Sequence, residues 1–216
     1  MFIGHFAVAF AAKRALPTVS LASWFIASEL IDFIWPILLL LGIESAVIAP
    51  GITAFTPLDF VHYPWSHSLL MCAVWAVAAA ALYWTRSRVA AVLLGLVVLS
   101  HWFLDLIVHR PDLPLAPGTD MKLGFGLWSS IPGTLAVELA LFAVGLGFYL
   151  HGTGARDTFG RYGLWTLVVL LLLAYGGAAF GPPPPNVATV AWADIIGGLL
   201  LVSLAYWVDA HRTMKG

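Results

Sequence analysis

The sequence is poor in charge and nearly free of cysteine. Only 10% of its 216 residues are Asp, Glu, Lys or Arg, 61% are hydrophobic, and the mean hydropathy is +0.94. Soluble domains carry about 25% charged residues, so a water-soluble globule is excluded and an integral membrane protein is expected. The net charge of -1 provides no basic field for nucleic acid, which is therefore not expected as a partner. The one cysteine, Cys72, lies in an apolar run and cannot form an internal disulfide, so cysteine usage leaves the redox compartment open. No internal repeat and no polar second domain is visible, and residues 1–216 read as a single membrane domain. No basic segment precedes the first apolar stretch; Lys13 and Arg14 follow it. A cleavable signal peptide is not expected.

What is present is a series of apolar runs. Phe2–Ala15 is short for a span of about 20 residues and reads as a short tilted or re-entrant helix ended by Pro17. Ser20–Gly42, Ser66–Trp84, Val89–His109, Gly133–Leu150, Gly163–Phe180 and Val187–Val208 follow. The fold class is therefore all-α: a polytopic transmembrane bundle of about six spans plus a short N-terminal helix. Pro36 is expected to kink the second run just past Asp32. A serine at or near Ser66 is expected to cap the third, and Asp194 to cap the last.

Lys and Arg are missing from residues 43–65 and 181–186, while Lys13/Arg14, Arg86/Arg88, Arg156/Arg161 and Arg212/Lys215 fall on alternate connections. By the positive-inside rule these basic connections face the cytoplasm, and 43–65, 110–132 and 181–186 face outward.

Against this apolar background a few polar residues stand out. His101, Asp105 and His109 recur at i, i+4 and i+8, which stacks them on one face of a helix. Counting about 1.5 Å per residue from the outer end, Asp105 lies about 6 Å deeper than His109 and His101 about 12 Å deeper. Asp32 sits within the second run, three residues after Glu29. His62 and His67 lie at the outer mouth of the third, and His5 lies in the first. Ionisable groups in hydrocarbon are costly unless they pair, line a cavity or bind an ion. His and carboxylate mixtures suit a divalent metal, Zn²⁺ first, with Mn²⁺ or Fe²⁺ as alternatives. The expected metal ligands are His5, Asp32, His62, His67, His101 and Asp105, in the outer half of the membrane. Asp32 or Asp105 would serve as base if not a ligand, and Arg110, with Lys122, would neutralise an anionic substrate group. Glu138 is buried in its run with no assigned partner.

Gly4-His5, Glu29-Leu30-Ile31-Asp32, His62-Tyr63-Pro64-Trp65-Ser66-His67-Ser68 and Ser100-His101-Trp102-Phe103-Leu104-Asp105 occur in that order. This order resembles the bacterial inner-membrane metal-dependent hydrolase family (YdjM-like) and is distantly similar to zinc-dependent phospholipase C. The likeness covers roughly the first half of the chain. The family's D-x-D-like motif is here Glu29-x-x-Asp32, and its Arg-Gly after the first histidine is here Tyr63-Pro64. The resemblance implies a multi-pass protein of the bacterial inner membrane. Its metal site would be built from His5, Asp32, His67, His101 and Asp105, with His62 next. The expected activity is hydrolysis of an ester or phosphoester of a lipid-like substrate, with membrane lipid as partner. Two alternatives accompany it: a proton- or metal-coupled permease, which the missing internal repeat disfavours, and a non-catalytic membrane protein whose polar groups only lock helices together.

Overall fold

The computed structural model describes residues 1–215. The chain is mostly helical. Helices α1 (Ile3–Ala15), α2 (Leu21–Ser28) and α3 (Leu30–Leu40) lead to a hairpin of β1 (Ser45–Ile48) and β2 (Leu58–His62). The single turn α4 (Pro64–His67) follows, then α5 (Leu69–Trp84) and α6 (Arg88–Val108). A loop with the short pair β3 (Leu113–Pro114) and β4 (Lys122–Leu123) leads to α7 (Ile131–Gly152). β5 (Thr153–Ala155), α8 (Thr158–Phe180), α9 (Val187–Ala210) and β6 (Arg212–Met214) complete the chain, and β5 pairs with β6. The β1–β2 and β3–β4 pairs occupy connections that read from sequence as loops, and β5 pairs with β6 across the two intervening helices.

Short polar side chains start the helices. Ser20, Ser68, Ser87, Ser130, Asp157 and Asn186 each accept a hydrogen bond from the backbone N–H three residues on, at 2.8–3.3 Å. Each satisfies a donor that a helix N-terminus otherwise leaves unpaired. Ser68 therefore caps the helix that the Ser66-His67-Ser68 run introduces. Asp194 is not the cap of α9: Asn186 is, and Asp194 lies eight residues further on.

Four helices, α6, α7, α8 and α9, are long and apolar enough to cross a membrane, and α2 with α3 would together make a fifth, bent by 54°. At 16 residues α5 is shorter, and α1 has 13. The molecule is a membrane protein by these criteria, and its surface agrees. α9 exposes Trp192, Ile196, Leu199, Leu200 and Tyr206, and α8 exposes Leu173 and Phe180. In water such faces would have to be covered, whereas in a bilayer they meet lipid.

The bend in α2–α3 is at Glu29, whose φ/ψ of -102°/6° belongs to neither helix, and not beyond Asp32. Pro36 stays inside α3. Ser28 folds its hydroxyl back onto the Phe25 carbonyl at 3.1 Å, a local bond that competes with helix continuation.

The interior is organised around α1, which is buried along most of its length. It lies against α7 so closely that a Cβ on Gly145 would run into the Ala7 backbone. Phe6 and Phe10 of α1 pack edge-on against Phe25, and Phe10 against Phe142 and Tyr149. Glu138 of α7 is fully buried, and its Oε2 accepts hydrogen bonds from the Phe2 and Gly4 N–H groups at 2.8 and 3.3 Å. A carboxylate there complements the positive end of α1.

The basic connections gather at one end. Lys13 Nζ donates to Asp209 at 2.9 Å and to the Pro17 and Val19 carbonyls. Arg212 donates to Thr153, and Ser23 Oγ meets Tyr83 Oη at 3.0 Å beside the Arg86/Arg88 turn. The hairpin β1–β2, the β3–β4 loop and the start of α9 form the other end, where the Ala54 and Phe55 N–H groups bond the Trp128 carbonyl.

Candidate metal centre

Two carboxylates hold the centre. Asp105, on the inner face of α6, has a side chain 2% exposed; Asp32, in the first turn of α3, is 32% exposed. Around Asp105 Oδ2 lie His101 Nε2 at 3.2 Å, His67 Nε2 at 3.8 Å and His109 Nε2 at 3.9 Å. His5 Nε2 is 3.1 Å from Asp105 Oδ1, which also contacts the Met1 α-amine. Asp32 Oδ1 faces His67 Nε2 at 3.2 Å and His101 Nε2 at 3.6 Å. The His5 and His101 rings stack at 3.8 Å, 4° from parallel. In each of two triplets, His5/His101/Asp105 and Asp32/His67/His101, the donor atoms lie within 4.8 Å of one another.

Each element contributes for a local reason. The i, i+4 spacing of His101 and Asp105 puts both on one face of α6. His67 ends the one-turn helix α4, which Glu44 fixes in place: Oε1 accepts from the Trp65 and Ser66 N–H groups, each at 2.8 Å. His5 reaches the site because Glu138 anchors the start of α1. The bend at Glu29 presents Asp32.

The outer partners of the histidines fix their protons. Ser66 Oγ lies 2.6 Å from Glu44 Oε2, which can only accept, so Ser66 donates there. The Ser66 oxygen then accepts from His67 Nδ1–H at 2.8 Å. His101 Nδ1–H donates to the Ser28 carbonyl at 2.9 Å. That carbonyl is free because the helix breaks at Glu29; in a continuous helix it would take the Asp32 N–H. His109 Nδ1–H donates to Asp112 Oδ1 at 3.0 Å, and Tyr63 Oη supports the same carboxylate. These assignments follow from the hydrogen-bond network. In a neutral ring, a proton on Nδ1 leaves Nε2 as a bare lone pair.

With the three rings neutral, three lone pairs would face two carboxylates, acceptor against acceptor. His101 Nε2 is buried and has no hydrogen-bond partner despite an Asp105 oxygen at 3.2 Å. A cation relieves this arrangement, and the donor set of imidazole nitrogens and carboxylate oxygens fits a divalent metal.

Of the residues expected from sequence, the fold brings together His5, Asp32, His67, His101 and Asp105. His62 is not brought in: it is exposed at the end of β2 and lines a separate surface pocket with Asp120 and Lys122. Arg110 is also outside. Its guanidinium bonds Asp59 and, at 2.8 Å, Asp112, and it does not line the cavity at the cluster. Burial would raise the Asp112 carboxyl, but hydrogen bonds from His109 and Arg110 outweigh it and hold Asp112 below the ordinary 3.8. His109, Ser66 and Glu44 were not in the expected set. His109 is i+4 from Asp105, a signal equally consistent with a helix end.

A cavity of about 390 Å³ opens against the cluster, with Asp32, His67, Asp105 and His109 on its polar wall and Phe33, Ala178, Gly197 and Leu201 among its apolar lining. Comparison with protein families, curated proteins and solved structures finds no match.

Proposed function

We propose that the protein is a membrane-embedded, metal-dependent hydrolase of the bacterial inner membrane, cleaving an ester or phosphoester of a lipid-like substrate. The observation that carries the reading is the set of three histidines, each with Nδ1–H tied outward and Nε2 aimed at Asp105 and Asp32. His5, His67, His101 and Asp105 would hold Zn²⁺, or Mn²⁺ or Fe²⁺ in its place, with Asp32 and His109 beside them. Bound there, such an ion supplies an activated water and a Lewis-acid contact for the scissile oxygen.

The chain's own groups divide the remaining work. Asp32 is the more open of the two carboxylates and lines the cavity, so it is the group placed to take a proton from water beside the substrate. Asp105 is enclosed and suits a ligand. The apolar wall excludes bulk water and receives the hydrocarbon part of the substrate. In this reading α2–α3, α5, α6, α7, α8 and α9 make six spans, α1 is the short N-terminal helix, and the basic end faces the cytoplasm. The cluster then lies in the outer half of the membrane. The resemblance to the YdjM-like hydrolases points the same way.

The test is elemental analysis of detergent-purified protein, followed by incubation of the metal-loaded protein with mixed phospholipid micelles and mass spectrometry of the products. Stoichiometric metal and chelator-sensitive release of a headgroup or acyl product are expected. Protein that carries no metal and cannot be loaded with Zn²⁺ or Mn²⁺ overturns the reading and puts permease function, tested by uptake into sealed vesicles, ahead of it.

A further inference from the structure

The basic residues at one end of the bundle do not all spend their charge within the protein. Lys13 pairs with Asp209, Arg212 donates to Thr153 and the Gly160 carbonyl, and Arg156 and Lys215 donate to the Ala210 and Leu150 carbonyls. The turn between α5 and α6 differs. Arg86 and Arg88 are exposed, and neither side chain makes a hydrogen bond or ion pair among the described residues. Each instead lies over an aromatic ring, Arg86 Cζ 5.6 Å from the centre of Tyr83 and Arg88 Cζ 5.7 Å from that of Trp84. A guanidinium over a ring keeps its N–H edge free and is already ordered when an anion arrives.

The turn that carries them is fixed. The Tyr83 carbonyl accepts from the Arg86 and Ser87 N–H groups, both at 3.0 Å, Ser87 Oγ caps α6 at 3.2 Å, and Ser23 of α2 meets the Tyr83 hydroxyl at 3.0 Å. Two guanidinium forks are thus presented from a rigid base, which suits the oxygens of a phosphate group. The flanks show what carries that phosphate. Leu82 is 79% exposed, Val89 61% and Trp84 50%. Hydrocarbon therefore borders the arginines on both helices, where a soluble phosphate would need none. Residues 69–104 contain no Asp or Glu, so neither helix offers a partner to the ammonium of a zwitterionic head.

We infer that the α5–α6 turn binds an anionic phospholipid, its phosphate held by Arg86 and Arg88 and its acyl chains lying along Leu82 and Val89. This site is separate from the metal centre and does not depend on the hydrolase reading. It fixes the depth of α6 in the bilayer: Asp105 is 17 residues beyond Arg88, about 26 Å along the helix.

Lipid retention tests it. The protein is equilibrated in micelles containing equal phosphatidylglycerol and phosphatidylcholine, and the lipid it keeps is counted by native mass spectrometry. The solution is about 0.5 M ammonium acetate, in which the Debye length is about 4 Å and charges out of contact are screened. The wild type should enrich phosphatidylglycerol on the order of tenfold, the scale of one charge-assisted hydrogen bond. Arg86→Ala/Arg88→Ala should lose most of that enrichment. Arg14→Ala/Arg161→Ala, which removes the same charge from exposed arginines elsewhere on the chain, should keep it. A wild type without preference overturns the inference, and that measurement decides even if a variant fails to fold. Equal loss in the two double variants also overturns it, because diffuse charge would then be the cause. Displacement of the lipid by excess inorganic phosphate overturns the lipid assignment and makes the turn a soluble-phosphate site.

Discussion

Ser66 touches neither carboxylate of the cluster, yet Ser66→Ala should weaken metal binding. The hydroxyl donates to Glu44 at 2.6 Å and accepts from His67 Nδ1–H at 2.8 Å. Its removal takes away the acceptor that keeps the proton on Nδ1, so the His67 ring can place its proton on Nε2 and face Asp32 as a donor. Outer hydrogen-bond partners of metal-bound histidines are worth about 10- to 100-fold in affinity, or about 1.4–2.7 kcal/mol. The backbone of α4 should hold, because Glu44 Oε1 still receives the Trp65 and Ser66 N–H groups. The assay is chelator competition on purified protein with elemental analysis, and monodisperse elution as the check on folding. Ser66→Ala should fall between wild type and His67→Ala. Affinity equal to wild type would show that the Glu44–Ser66–His67 chain does not set the protonation of His67, and that result would falsify the argument from lone pairs.

Other outcomes follow from the same geometry. His101→Ala and Asp105→Asn should each lose most of the metal while remaining inserted and monodisperse; His62→Ala, His151→Ala and His211→Ala should keep it, and equal metal in all five variants refutes the site. Asp112 is held below its ordinary value in the folded protein. A lowered folded value stabilises at pH above the unfolded value and is lost as pH falls through the folded one. The melting difference between wild type and Asp112→Asn should therefore be largest near pH 7 and shrink below about pH 4; a difference independent of pH contradicts this. A cysteine replacing Ser87, in a Cys72-free background, should resist an impermeant thiol reagent added from outside, whereas one replacing Pro183 should react. Labelling at position 87 from outside reverses the assigned orientation.

The membrane class and the heart of the cluster were legible because each rests on a short-range rule. Hydropathy marks the long helices, and the i, i+4 spacing commits His101 and Asp105 to one face wherever α6 packs. His5, Asp32 and His67 were legible only as polar residues out of place in apolar runs. The supporting groups were not legible. Glu44 is 22 residues from Ser66, and nothing local marks the pairing. The bend was expected at Pro36, yet a proline removes only one backbone bond, while at Glu29 the side chain of Ser28 and the ring of His101 both draw on backbone carbonyls. Arg110 looked available to an anion because its partner Asp59, 51 residues away, meets it only through the folded hairpin. Asp194 stood where a cap is common, but Asn186 lies nearer the start of the helix and takes that position.

The close seating of α1 against α7 bears on how the molecule is made. α1 is synthesised well before α6 and α7, yet α7 supplies part of the surface it packs on and the carboxylate that anchors its start. Until α7 is in place, the start of α1 lacks its Glu138 anchor, and His5 is held beside Asp105 only by its contacts with α2 and α6. If the cluster holds a metal ion, loading at full affinity should be a late step of biogenesis. Nascent chains arrested on the ribosome before residue 131 should bind metal weakly, and those arrested far enough past 152 for α7 to insert should bind it as the finished protein does.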